Sequence, residues 1–216
     1  MIRFRKYFAL QYLSLVLASI SFSGCKVGDD DPVISLRSRD ARLKANWKLI
    51  EMENHYEIRL INPGLDPEVT VIHSSFNGYD LHVRTAVNGI LLNDTTIGYN
   101  HLLKIKDDGE LTYENTVVQN MIGVKSEGKD NWYWLDTDKK KARVNLGSAL
   151  KFPTTAGLTQ LSPNTFLQLN SLFTDFTVEG LHNNELELRY DKVIGQVTFN
   201  GFQQITVSSK MTFNSH

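Results

Sequence analysis

Apolar and polar residues alternate through most of this 216-residue chain, and turn dipeptides interrupt the alternation at short intervals. A period of two is typical of strands that bury one face. The dipeptides Asn77-Gly78, Asn88-Gly89 and Asp108-Gly109 favour hairpin turns, because they accept the positive φ angles that tight turns require. The pattern therefore predicts an all-β chain of roughly ten short strands, arranged as an antiparallel barrel or sandwich.

The first Asn-Gly turn predicts which residues face each other across its hairpin. A two-residue turn at Asn77-Gly78 places His73 opposite His82. Two imidazoles and the carboxylate of Asp80, which lies on the same face, are ligands that suit a divalent transition metal. The same residues also fit the solvent-facing side of a hairpin, so we assign no metal.

Apolar pairing selects the turn of a later hairpin. A three-residue turn at 107–109 places Leu103 opposite Tyr113, so that apolar residues face apolar residues. A two-residue turn would instead place Ile105 opposite the polar Thr112. The three-residue turn is therefore the prediction for this hairpin.

Other segments are assigned more coarsely. A short helical turn is predicted at 41–44, and two separate strands are predicted at 47–52 and 56–61. Residues 93–96, Asn-Asp-Thr-Thr, are predicted to form a loop. Residues 148–162 contain proline and glycine without a regular pattern, and they predict a long connection.

The first 24 residues resemble a bacterial lipoprotein signal. Basic residues at 3, 5 and 6 precede an uncharged and mostly apolar run, and Ser23-Gly24 stand directly before Cys25. The resemblance implies that the signal is cleaved and that Cys25 is diacylated as the first residue of the mature protein. A membrane-spanning helix would need about 20 apolar residues, which is more than this run provides.

The surroundings of Cys25 agree with a lipid anchor. It is the only cysteine of the chain, so no internal disulfide can form, and acylation would remove a lone exposed thiol. The acidic run at 29–31 resembles the export signal of surface lipoproteins of the Bacteroidetes, although a solvated linker is acidic too. We expect a lipid anchor in the bacterial outer membrane, with surface display left open. The expected organisation is a signal over 1–24, a tether over 25–41 and one β domain over 42–216.

Charge and motif content argue against several function classes. The chain has 23 basic and 24 acidic residues and no long basic run, so nucleic-acid binding is not expected. The motifs G-x-S-x-G, H-E-x-x-H and C-x-x-C, which mark common hydrolases, metalloproteases and redox proteins, do not occur. We therefore expect neither enzymatic activity nor a cofactor, and the sequence does not indicate a protein partner.

Four segments follow one another in an order seen in a known family. They are RLKANWKLIEME, LKIKDDGELTYEN, GKDNWYWLDTDKKKARVNL and FTVEGLHNNELELRY. Over roughly residues 42–190 the chain resembles lipocalin-like lipoproteins of the Bacteroidetes. The resemblance implies an antiparallel lipocalin-like β-barrel of about eight to ten strands with a ligand in its mouth. It implies no catalytic residue.

Aromatic residues are the candidate ligand contacts. Alternation predicts an inward-facing set made of Trp47, Tyr113, Trp132 and Trp134. Such rings can line a pocket for a small hydrophobic ligand, or they can fill the interior of a narrow barrel. Two functions remain open: a lipid-anchored protein that binds a small apolar or amphipathic ligand, and an envelope scaffold or adhesin that acts through its outer surface.

Overall fold

The chain folds as an antiparallel β structure with one short helix. A computed structural model describes residues 38–136, 141–150, 174–198 and 201–216. In chain order the elements are α1 (Arg39–Leu43), β1 (Asn46–Ile61), β2 (Glu68–Phe76), β3 (Asp80–Val87), β4 (Ile90–Ile105), β5 (Glu110–Gln119), β6 (Ile122–Asn131), β7 (Tyr133–Trp134), β8 (Arg143–Asn145), β9 (Asp175–Leu181), β10 (Glu185–Thr198) and β11 (Gly201–Ser215). The signal, Cys25, the tether up to residue 37 and residues 151–162 of the predicted connection lie outside the described residues.

All of these strands belong to one antiparallel sheet. Their order across the sheet is β6-β5-β4-β3-β2-β1-β11-β10-β9-β8-β7, and β1 pairs with β4 as well. The extra pairing curls the sheet back on itself. No ladder joins the edge strands β6 and β7 in the described ranges. The all-β antiparallel prediction is therefore confirmed, the described strands form a curled sheet, and the closed lipocalin-like barrel stays a prediction.

β1 changes its neighbour at a β-bulge. Its first residues, 46–48, pair with residues 102–104 of β4, whereas residues 52–60 pair with β2. The register between β1 and β11 shifts between Leu49 and Glu51, where the bulge lies. Because a bulge bends the strand and increases its twist, one strand can hold different neighbours on its two halves.

β1 is one continuous strand, so the prediction of two strands was wrong. A polar residue, Asn54, interrupts the apolar pattern in the middle of the strand and is only 1% exposed. Its carboxamide oxygen accepts a hydrogen bond from the Ser209 hydroxyl on β11. Ser74 lies opposite Asn54 on β2. Small hydroxyl residues on both neighbouring strands therefore leave room for this buried amide. The sequence pattern predicts a break in the strand there, because a polar residue interrupts the apolar alternation.

The β2–β3 hairpin has a longer loop than predicted. Phe76 pairs with Leu81, so the loop contains the four residues 77–80. The side-chain oxygen of Asn77 accepts hydrogen bonds from the backbone N–H groups of Tyr79 at 3.1 Å and Asp80 at 2.9 Å. Asparagine side chains stabilise turns in this way, and here the side chain favours a four-residue loop over the two-residue one.

The longer loop separates the two histidines. His73 lies opposite Arg84, so the prediction that it faces His82 was wrong. His82 instead contacts the Asp94 carboxylate on β4. The slip is by two residues, which keeps each side chain on its predicted face. Within the described ranges, no group of three or more His, Cys, Asp or Glu residues is arranged to hold a metal.

Two other turn predictions are confirmed. Asn88 and Gly89 have φ angles of 48° and 79°, as a two-residue hairpin turn of this type requires. The 107–109 turn pairs Leu103 with Tyr113 as expected.

The loop predicted at 93–96 is wrong, because these residues belong to β4. Their polar character reflects cross-strand contacts with β3. Asp94 accepts a hydrogen bond from Arg84 Nε at 3.0 Å and also contacts His82. Charged cross-strand pairs of this kind support a strand whose outer face is polar.

Apolar side chains from most strands pack on the inner face of the curled sheet. The largest fully buried side chains are Trp47, Tyr56, Phe176, Phe213, Leu43, Ile72, Leu81, Leu103, Leu111, Leu146 and Leu181. In the part of the chain that the structure describes, no helix is long and apolar enough to cross a membrane.

One titratable side chain lies inside this core. His101 is 2% exposed, and its Nδ1 contacts the Asn115 side-chain oxygen. Its ring centroid lies 6.1 Å from that of Phe213 and 6.5 Å from that of Tyr99. Burial disfavours the charged imidazolium and lowers the pKa of His101 to about 4. The side chain is therefore neutral in the folded protein at neutral pH.

We predict that His101 destabilises the fold in mild acid. In the unfolded chain a histidine binds its proton near pH 6.5, whereas folded His101 does so only near pH 4. The unfolded state thus binds more protons in this window, and the free energy of unfolding falls by up to about 3 kcal/mol as the pH drops through it. Denaturant unfolding between pH 8 and pH 4 should show a shallower decline for His101→Asn. Parallel curves would contradict the prediction.

Candidate functional site

A groove lies where β1 meets β4 and the sheet continues into β5 and β6. Its volume is about 530 Å³, which is within the range of small-molecule sites. It is lined by Asn46, Trp47, Leu102, Leu103, Lys104, Thr112, Tyr113, Glu114, Glu127, Gly128, Lys129 and His216. The groove therefore forms at the point where the bulge lets β1 leave β2 and pair with β4.

A row of polar side chains crosses three strands of the groove. Lys104 on β4 pairs with Thr112 on β5, and Thr112 pairs with Lys129 on β6. Directly paired residues share one face of a sheet, so two lysines flank one hydroxyl. Both lysines are exposed and Thr112 is half-buried. We call Lys104, Thr112 and Lys129 the lysine row.

The acidic residues of the groove already have a cationic partner. Glu114 and Glu127 pair across β5 and β6, and Lys125 Nζ lies 2.8 Å from Glu114 and 3.9 Å from Glu127. The hydrogen bond to Glu114 raises the pKa of Lys125. Neither Lys104 nor Lys129 forms an ion pair with any residue in the described ranges. The positive charge of the lysine row is thus uncompensated by a contact.

The remaining lining is mainly apolar. Leu102 is half-buried, Leu103 is buried, and the ring of Tyr113 is half-buried against the core. Tyr113 lies over Gly128, where a Cβ atom would overlap the ring. Glycine at 128 therefore leaves room for the aromatic ring beside the groove. The Tyr113 hydroxyl makes no hydrogen bond to a described residue.

Two of the four predicted aromatic contacts meet at this groove. Trp47 and Tyr113 both line it. Trp47, however, has no exposed surface, and its indole N–H donates to the Leu43 carbonyl at 2.8 Å. Trp47 is therefore a core side chain that supports the groove, and Tyr113, which shares the face of Leu103 and Gly128, packs its half-buried ring against the core from the face opposite the lysine row.

The other two predicted contacts lie elsewhere, beside α1. Trp132 and Trp134 pack edge to face with ring centroids 6.4 Å apart. The Trp132 indole donates to the Lys106 carbonyl at 2.9 Å, and the Trp134 indole donates to the Asp40 carboxylate. The Arg39 guanidinium lies 6.0 Å from the Trp134 ring centroid. Their donors are used within the protein, and the pair packs α1 against the sheet.

The lysine row was not predicted from the sequence, although the pairing of two of its three residues was implied. The predicted 107–109 turn already places Lys104 opposite Thr112. β6 was not predicted, because its turn with β5 uses Asn120 and Met121 at φ angles of 51° and 66°. A methionine at positive φ is uncommon, so no turn signature marks the strand that contributes Lys129.

A second and larger cavity of about 810 Å³ lies between β1, β2 and β3. It is lined by Ile50, Glu51, Met52, Glu53, Ser75, Phe76, Asn77, Asp80, His82 and Thr96. Its histidine is engaged with Asp94. Because polar and acidic side chains predominate there, the first groove is the better match to the predicted apolar or amphipathic ligand.

We predict that Gly128→Ala displaces the Tyr113 ring without unfolding the protein. The added methyl group overlaps the end of the ring, which can rotate away, and the backbone at 128 is not in the left-handed region. The free energy of unfolding should change by less than about 1 kcal/mol. NMR should show shifted Tyr113 ring resonances in this variant. Gly123→Ala is the control, because a Cβ atom there meets only Val118 at 4.0 Å. Unchanged Tyr113 resonances in Gly128→Ala would contradict the prediction.

No protein-family model matches this chain, and no curated protein or solved structure is significantly similar to it. The resemblance to lipocalin-like lipoproteins therefore remains a prediction from the four sequence segments. Function has to be argued from the groove, its charges and the N-terminal sequence.

Proposed function

We propose that this chain is a lipid-anchored lipoprotein of the bacterial cell envelope that binds a small apolar or amphipathic ligand in the groove between β1, β4, β5 and β6. The observation that carries this proposal is the groove itself. It combines a ligand-sized volume of about 530 Å³ with a lining that includes Leu102 and the apolar stems of Lys104 and Lys129. A few polar groups at the edge of such a lining can fix the orientation of a ligand.

Packing favours the groove over the interior as the binding site. Trp47 and Leu103, which lie under the groove, are at most 1% exposed and form part of the packed core. Ligand contacts then come from Leu102 and the stems of the two lysines. No chemistry is assigned, because none of these residues forms a nucleophile–base pair.

The proposed anchor attaches at the same end of the sheet as the groove. The tether leads from Cys25 to α1, and α1 leads directly into the start of β1, whose first residue Asn46 lines the groove. The twelve residues 26–37 span at most about 40 Å when fully extended. A membrane anchor at Cys25 would thus keep the groove near the bilayer, which is a source of amphipathic molecules.

The groove can be tested by photolabelling. The full chain in phosphatidylcholine nanodiscs is irradiated with a diazirine-bearing long-chain alcohol and, separately, with the matching fatty acid. We expect saturable labelling of peptides within 102–114 and 127–129, competed by unlabelled compound. Leu102→Gln should weaken labelling roughly tenfold, because loss of a partly buried leucine contact is worth about 1.4 kcal/mol.

The control for this experiment is Leu91→Gln. Leu91 is 57% exposed on β4 and does not line the groove, so the substitution should leave labelling unchanged. Labelling that does not saturate, or that is equal in both variants, would contradict the proposed binding site.

A second function, an envelope scaffold or adhesin, is supported by a different surface. The turns that join β1 to β2 and β3 to β4 lie at one end of the sheet, opposite α1, together with the last pairs of the β10–β11 ladder. Exposed apolar side chains gather on or near these turns: Ile61, Leu65, Ile90, Leu91, Leu92, Val197 and Phe202. β1 is 16 residues long, so these turns lie roughly 50 Å along the strand from Asn46, where the chain enters the sheet from α1. If no amphiphile labels the groove, this end of the sheet is the surface that supports the scaffold or adhesin function.

The anchor has its own test. Cys25→Ala should move the protein out of the membrane fraction, because each acyl CH₂ group buried in a bilayer contributes about 0.8 kcal/mol and two chains give a firm anchor. Val27→Ala, two residues after the cysteine, is the control and should stay in the membrane. A Cys25→Ala protein that remains membrane-bound after its signal has been removed would contradict the anchor.

A further inference from the structure

We propose that the ligand of the groove is a single-chain amphiphile with an anionic head group, and that Lys104 and Lys129 bind this head on either side of Thr112. The inference rests on the proposed function, because it assigns the head-group chemistry of the same groove. It is argued from strand register, from the ion pairs of the groove and from its apolar lining.

Strand register brings the three side chains of the lysine row together. Lys104, Thr112 and Lys129 occupy directly paired positions on consecutive strands. Neighbouring strands lie about 4.8 Å apart, so the two lysine backbones are about 10 Å apart on one face. Flexible four-carbon stems let both ammonium groups lean toward the middle. An anion there can accept hydrogen bonds from both lysines and from the Thr112 hydroxyl.

The charges around the row favour an anion over a cation. Glu114 and Glu127 are held by Lys125, at 2.8 Å and 3.9 Å. Lys104 and Lys129 have no ion pair with a described residue. Two ammonium groups on one face also repel each other, and a bound anion relieves this repulsion. The hydrogen bond from Lys106 lowers the pKa of the Glu110 carboxyl, and Lys129 adds to this only through space. None of these three carboxylates forms an ion pair with the row, so a negative head group can still bind between the lysines.

The apolar part of the groove adjoins the row directly. Leu102 stands on β4 two positions from Lys104, on the same outward face, and both line the groove. Tyr113, next to Thr112 on β5, points to the opposite face of the sheet and packs over Gly128 against the core. A hydrocarbon tail can therefore lie along Leu102 and the apolar stems of the lysines while its head stays between the two ammonium groups. This arrangement suits a carboxylate or a phosphate monoester at the end of one acyl or alkyl chain.

Calorimetric titration can separate head group from tail. The full chain in phosphatidylcholine nanodiscs is titrated with octanoate, octyl phosphate, octanol and octyltrimethylammonium, and the heats measured with empty nanodiscs are subtracted. We expect both anions to bind at least tenfold more tightly than octanol, and the cation not to bind saturably. Higher salt should reduce the preference for anions, because the lysines are exposed.

Variants assign this preference to the lysine row. The double substitution Lys104→Gln with Lys129→Gln should weaken octanoate to the level of octanol and leave octanol unchanged. Lys104→Arg with Lys129→Arg should keep the preference for anions, which also checks that the site tolerates substitution. Lys192→Gln is the control, because Lys192 is exposed on β10 and does not line the groove.

The outcomes distinguish the two proposals. If octanol binds as tightly as octanoate and the double glutamine variant changes neither, the anionic head group is wrong and the groove function stands. If none of the compounds binds saturably, both proposals are wrong. If inorganic phosphate alone binds as tightly as octyl phosphate, the site takes a free anion and the amphiphile is wrong.

Discussion

The curl of the sheet depends on the change of neighbour along β1. Residues 46–48 pair with β4 and residues 52–60 pair with β2, while β11 follows the other edge through the bulge between Leu49 and Glu51. Without the bulge, β1 would continue along β2 and the second half of β4 would have a free edge. The groove lies at this junction. Core packing and the candidate site therefore share one cause, which is a local irregularity in one strand.

The inside of the curl is packed and includes a small number of polar side chains. Burying a polar group costs free energy unless it is hydrogen-bonded. The Asn54 carboxamide oxygen accepts a hydrogen bond from Ser209, whereas its Nδ2 has no partner among the described residues. The same dry environment lowers the pKa of His101. This packed interior stabilises the position of β1 and its neighbours. We therefore expect a ligand to bind in the groove at the side of the sheet and not in the interior.

The residues of a turn were sufficient to predict some hairpins from the sequence and insufficient to predict others. The turn at Asn88-Gly89 follows from φ preferences that belong to the dipeptide itself. At Asn77 the outcome depends on whether its side chain bonds the following N–H groups, which the dipeptide alone does not reveal. The pairing of β1 with β4 joins residues far apart in sequence and requires the bulge.

Trp132 and Trp134 were predicted to face a ligand because their alternation is correct, but alternation does not show that their N–H groups bond Lys106 and Asp40.

We propose that the junction of β1, β4, β5 and β6 is a ligand site and not only an irregularity of the fold. A crystal structure of the full chain with a fatty acid brominated at its tail tests this claim most directly, because bromine gives an anomalous signal that locates the tail. We expect the bromine peak beside Leu102, with the carboxylate within hydrogen-bonding distance of Lys104 or Lys129. A peak in the interior, a peak at the opposite end of the sheet or no peak would contradict it.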